Sequence, residues 1–275
     1  MNIRFWGVRG SVAVSGPHVA KVGGNTSCIE VTSQGERLIL DAGTGLRALG
    51  DELGKSGPAK ATFLFSHLHW DHVQGFPFFG PAWHPSSKFT LYGPGEGGDQ
   101  ALRDVLSKQM SPPNFPVPLS AMRSSLSFGA AKHDRRIEAG PFVVTPFELP
   151  HPQGCLGYRV EADGASFVYM TDVELKPDAL PSLGRWVEGA DALVLDAQYT
   201  PDEYAGKVGP PKAGWGHSTM IDAATLARDA RVKRLFLFHH DPAHNDDFVA
   251  GMEAEAKNVF EAAELAREGL VLEVA

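Results

Sequence analysis

Residues 65–75 read FSHLHWDHVQG and place His67, His69, Asp71 and His72 within six positions, directly after the apolar run ATFLF (61–65). Side chains two apart in an extended segment point the same way, so His67 and His69 can aim at one point. Asp71 and His72 fall at the start of a short helix, where adjacent residues diverge and can serve two neighbouring points. Imidazole and carboxylate donors suit Zn²⁺, and also Fe or Mn. Four such groups in six residues half-build a site for two metal ions.

The remaining donors lie at the ends of other apolar runs. His151 follows FVVTPFELP, Asp172 follows SFVYMT and His239 follows RLFLF. Each alone would read as a cap or a backbone-bonded histidine; together with the cluster they read as the rest of a metal shell. Asp172 has two oxygens and can bridge two ions. His239 and His240 compete for the last position, and the end of the apolar run favours His239.

Strand-like runs bracket these residues. They include NIRFW, SCIEVT, RLILD, KFTLY, GYRVEA and ALVLD, punctuated by Gly, Pro, Asn and Asp. Helical patterns are fewer: GLRALGDELG, GGDQALRDVLSKQ, STMIDAATLARDAR capped by Ser218, and a long one from Asn245 to a stop at Gly269. The pattern fits sheets covered by helices, in a single domain spanning 1–275 with no internal repeat. The Pro- and Ser-rich stretch 110–136 breaks the rhythm and reads as an irregular insertion, either a pocket lid or a surface linker.

The chain has 275 residues, 43% of them hydrophobic, and a formal net charge of −8. That balance argues against a long nucleic acid as main partner, because phosphate neutralisation needs a basic face. No apolar run approaches the roughly 20 residues that span a bilayer. Two cysteines, Cys28 and Cys155, make no disulfide framework, and the absence of a leader-like start points to the cytoplasm.

HLHWDH, HPQG, MTD and LFHHDP, in that order, resemble the motifs of the metallo-β-lactamase superfamily, and of its binuclear hydrolases in particular. The resemblance implies an αββα sandwich, an α/β fold of two mixed sheets with helices outside. It implies His67, His69 and His151 for one metal, Asp71, His72 and His239 for the other, and Asp172 between them. It also gives Asp41, in RLILDAGTG, the role of fixing a liganding imidazole. GWGHSTMIDAA (214–224) is similar to the proton-donor motif of ribonuclease Z-like phosphodiesterases, and LVLDAQYT to its partner motif. His217 would then be the general acid and Asp196 its orienting group, with Asp71 placing the nucleophile. Relatives often have a histidine before this acid, where this chain has Leu195.

The substrate expected is a small phosphodiester, cyclic nucleotides first, since similar stand-alone chains hydrolyse them and no long basic arm for gripping RNA is visible. The alternatives are a transfer-RNA 3′-processing nuclease, a lactonase or other metallo-hydrolase, and a sensor with a degenerate site. Relatives are often homodimers. The loop KVGGNTSCIEV is expected either to approach the metals through Asn25, Thr26 or Ser27, or to be a simple hairpin turn. His244 is the unassigned histidine expected nearest the pocket.

Overall fold

The computed structural model describes all 275 residues. The first half contains β1 (Asn2–Gly7), β2 (Cys28–Ser33), β3 (Glu36–Leu40), α1 (Gly45–Gly54), β4 (Lys60–Leu64), α2 (Trp70–Val73), β5 (Lys88–Pro94), α3 (Gly98–Gln109) and β6 (Ser125–Ala131). The second half contains β7 (Ile137–Ala139), β8 (Phe142–Leu149), β9 (Cys155–Ala162), β10 (Ala165–Met170), α4 (Leu180–Val187), β11 (Ala192–Asp196), α5 (Pro201–Tyr204), α6 (Met220–Asp229), β12 (Leu235–Phe238), α7 (Asp246–Val259), β13 (Ala263–Leu265) and β14 (Val271–Glu273).

These strands make two seven-stranded mixed sheets, ordered β14-β1-β2-β3-β4-β5-β6 and β7-β8-β9-β10-β11-β12-β13. In each sheet the first three pairings are antiparallel and the last three parallel. The two halves therefore repeat one topology, which the sequence does not announce. No helix is long and apolar enough to cross a membrane.

Strand alternation builds the layers. In β3, Leu38 and Leu40 face the core between the sheets, while Ile39 faces the helical side. In β4, Leu64 joins the first core, and Ala61 and Phe63 the second, with Leu46, Leu49, Leu102 and Leu106 of α1 and α3. The outer face of the second sheet is covered by α4, α6 and α7. This is the αββα sandwich the motifs imply.

Several expectations change. Within the irregular 110–136 stretch, Ser125–Ala131 is an edge strand paired in parallel with β5. The long C-terminal helix is capped by Asn245, whose side chain accepts from the Phe248 amide, but it ends at Val259. Residues 263–265 then pair with β12, so the helical period there yields to sheet pairing. The cap of α6 is Thr219, which accepts from the Asp222 amide, while the Ser218 hydroxyl bonds the 173–175 backbone.

Candidate metal centre

The strands of both sheets end at one edge, and the sequence-predicted residues meet there. His67 and His69 lie between β4 and α2, with His69 extended at the helix start, and Asp71 and His72 in its first turn. His151 follows β8, Asp172 follows β10 and His239 follows β12. Asp41, Asp172 and His239 take left-handed φ values of 59°, 23° and 60° within two residues of their strand ends. Such backbone is costly for residues other than glycine and concentrates at functional sites.

Two donor groups form. His67, His69, His151 and Asp172 make one, and Asp71, His72, His239 and Asp172 the other, each with its ligand atoms within 4.8 Å of one another. Asp172 belongs to both. Its Oδ2 lies 3.5 Å from His67 Nε2 and 3.8 Å from His151 Nε2. Its Oδ1 lies 3.1 Å from His72 Nε2 and 3.2 Å from His239 Nε2. Asp71 Oδ2 stands 3.3 Å from both His72 Nε2 and His239 Nε2. The Ser11 amide donates to that same oxygen at 2.8 Å.

The outer nitrogens decide what these groups can hold. His72 Nδ1 donates to Asp41 Oδ2 at 2.8 Å, and His151 Nδ1 to the Gly216 carbonyl at 2.9 Å. His239 Nδ1 faces the Gln198 amide oxygen at 3.3 Å. His67 Nδ1 lies 3.1 Å from Ser66 Oγ, whose own proton goes to Asp41 at 2.7 Å. In these four histidines Nδ1 carries the proton and Nε2 turns a lone pair inward, whereas His69 turns its Nδ1 inward, 3.3 Å from His151 Nε2. Lone pairs of five imidazoles and two carboxylates then face one another, and the buried Nε2 atoms of His67 and His72 have no hydrogen-bond partner. Buried acceptors do not gather without a positive charge, so the donor set fits divalent cations.

The electrostatics show that the cradle favours positive charge: burial opposes charge on His72, yet Asp172, Asp71 and Asp41 hold it well above the usual histidine range. Burial, then the neighbouring His72 imidazole, hold His67 well below the usual histidine range, so it stays neutral. Burial opposes charge on Asp172, yet His239, His72 and His67 hold its carboxyl well below the carboxylate range. Burial also opposes charge on His217. Asp196 outweighs it through a Nδ1···Oδ2 hydrogen bond of 2.7 Å, and the pKa is pushed up to about 9. The His217 ring stacks on that of His239 at 4.9 Å.

His240 stands outside the cluster: its Nε2 bonds the Ala266 carbonyl, and burial pushes its pKa down to about 3. Asn25 is taken by Glu268, and Thr26 and Thr44 bond reciprocally, so the 21–31 loop braces the fold rather than offering substrate contacts. His244 is held by Glu203 at 2.7 Å and stacks on Phe248, away from the cradle. Cys155 is buried, its Sγ 3.8 Å from His67 Nδ1.

The sequence reading missed Ser11, Ser66, Tyr169, Gln198 and Gly216. Tyr169 donates to Asp41 at 2.8 Å, across the two sheets. Gln198 carried a signal, since it lies two residues beyond Asp196 just past the end of β11. Gly216 carried another: its φ is 92°, and a Cβ there would meet His151 Nδ1 at 2.4 Å.

Residues 36–240 match the family model described as "Beta-lactamase superfamily domain". Ribonuclease BN of Escherichia coli (strain K12) is 28% identical over 262 residues, covering 79% of this chain and 83% of that protein. Ribonuclease Z of Natronomonas pharaonis is 25% identical over 309 residues, covering 94% and 93%. Among solved structures, Zn²⁺-bound PqqB from Methylobacterium extorquens superposes with a TM-score of 0.74 at 19% identity, covering 99% of this chain and 100% of that one.

Proposed function

The chain belongs to the beta-lactamase superfamily, and from that premise we propose that it is a binuclear metal-dependent phosphodiesterase. The observation that carries the reading is the His217–Asp196 pair standing beside two donor groups that share Asp172. His67, His69 and His151 would hold one ion and Asp71, His72 and His239 the other, with Asp172 between them. Zn²⁺ suits this donor set, and Mn²⁺ or Fe is compatible with it. When bound, such ions neutralise phosphate charge and acidify water.

The chain's own residues supply the rest. Asp71, fixed by the Ser11 amide, offers its carboxylate to orient the attacking water. Asp196 accepts a hydrogen bond from His217 Nδ1–H and keeps the ring charged at neutral pH, leaving Nε2–H to protonate the departing oxygen. Hydrolysis of a lactone or β-lactam has less need of that proton, because a metal can stabilise its leaving group.

Cyclic nucleotides are the first substrates on the sequence reading. β9 and β10 join through a tight turn at 163–164, so no long arm extends from this hairpin. Removal of a transfer-RNA 3′ extension is the second reading, favoured by the ribonuclease names of the relatives. The test is one screen of the purified chain with added Zn²⁺ or Mn²⁺ against a cyclic nucleotide, a 3′-extended transfer RNA, a lactone and a β-lactam. Turnover is expected on the phosphodiesters; turnover confined to the lactone or β-lactam would overturn the reading.

A further inference from the structure

The connection between β11 and β12 carries a cation that the metal cradle does not use. Lys212 Nζ lies 4.1 Å from the Trp215 ring centroid and 5.3 Å from that of Tyr199. Its neighbours are ring faces, whereas Lys176, which also borders the groove at His217, is paired with Glu174 at 3.2 Å. Lys207, earlier in the same loop, is paired with Asp202 at 2.8 Å.

The loop holds this lysine against the site. The Lys212 amide donates to the Tyr204 carbonyl, and the Trp215 amide to the Lys212 carbonyl. The Gly214 amide donates to Glu174 Oε1 at 2.7 Å, and the next glycine, Gly216, accepts from His151. Tyr199 stands edge-on to His217, with ring centroids 6.1 Å apart. The ammonium therefore sits one aromatic ring beyond the proton donor. Ring faces restrain a lysine without neutralising it. A restrained, unneutralised cation has already lost rotamer freedom and is prepared for an anion.

We infer that Lys212 binds a second phosphate of the substrate, beyond the scissile one and on the side served by His217. Trp215, 51% exposed beside it, offers a face on which a base can stack. The inference rests on the phosphodiesterase reading and narrows it. A 3′,5′-cyclic mononucleotide has one phosphate, which the cradle takes, and leaves Lys212 idle. A linear nucleotide with two or more phosphates engages both, so this feature favours the linear class.

The experiment is calorimetric titration of the metal-loaded full chain with thymidine 3′,5′-bisphosphate and with each thymidine monophosphate, for wild type, Lys212→Gln and Lys212→Arg. Wild type should bind the bisphosphate at least about tenfold more tightly than either monophosphate, the scale of one charge-assisted contact. In Lys212→Gln that ratio should fall toward one, and in Lys212→Arg most of it should return. Equal ratios in wild type and Lys212→Gln, or no wild-type preference, would overturn the inference. Since each ratio is taken within one protein, a loss of metal or fold affects both ligands alike. Hydrolysis of TpT against pTpT and TpTp should give the same pattern in kcat/KM. A wild type that cleaves no diester would sink the phosphodiesterase reading, while the binding ratio, which needs no turnover, still decides Lys212.

Discussion

Asp41 after β3 and Asp172 after β10 occupy the same place in two sheets of the same topology, and both take left-handed backbone. Their surroundings differ. Asp41 is saturated: it accepts from the Ser66 amide and hydroxyl, from Tyr169 and from His72 Nδ1. Asp172 receives one donor, the Thr171 hydroxyl at 2.7 Å, and otherwise faces the Nε2 atoms of four histidines. Topology delivers a carboxylate to the same edge twice. The groups around it decide whether it braces an imidazole or stays open to ions. The next connections diverge likewise, β4–β5 supplying four donors and β11–β12 supplying His217.

The comparison breaks most visibly at Asp172. Asp172→Ala should bring bound metal below one ion per chain and turnover to background, read by mass spectrometry and by hydrolysis of bis-(p-nitrophenyl) phosphate. Retained metal would make the two aspartates equivalent. Next, His217→Ala should keep its metal and lose about 10²–10⁴ in turnover on a diester with an alkyl leaving group, the range for a lost general acid. The loss should be smaller on bis-(p-nitrophenyl) phosphate, whose leaving group needs no proton; equal losses would remove the general-acid role.

Asp41→Asn tests the bracing half. The left-handed backbone tolerates Asn, so the fold should persist. Metal affinity should drop roughly 10–100-fold, as for other outer partners of a liganding histidine, with Zn²⁺ competition as the measurement.

The smallest effect concerns the seam between β10 and β11. Burial opposes charge on Asp191, but Lys233 and the Ser166 backbone hold its carboxyl below the usual range. A carboxyl depressed on folding stabilises above its unfolded pKa and ceases to do so as pH falls through the folded one. Asp191→Asn should therefore lower Tm at pH 7, and the gap from wild type should close below about pH 4.

Much of the cradle was legible because four donors share one short motif at 67–72 and the other three, His151, Asp172 and His239, follow apolar runs that end where the sheet does. The choice of His239 over His240 also followed from that rule. The bracing was less legible: Tyr169 and Ser66 reach Asp41 from different sheets, and no local pattern links them. β6 (SLSFGAA) escaped because it is an edge strand within a Pro- and Ser-rich stretch, and its Leu126 and Phe128 are only half-buried. β13 escaped because its partner is β12, some 28 residues earlier (263 paired with 235), while the sequence around it keeps a helical period. Lys212 went unread because its position depends on two rings, one of which, Tyr199, lies in a different segment of the connection.

The most direct measurement of the whole account is metal stoichiometry by mass spectrometry on Zn²⁺-loaded chain, for wild type, His151→Ala and His239→Ala. Two ions per wild-type chain and about one in each variant are expected, since of the two donor groups that share Asp172 His151 serves only one and His239 only the other. A wild type that holds no transition metal, or variants that keep both ions, would contradict it.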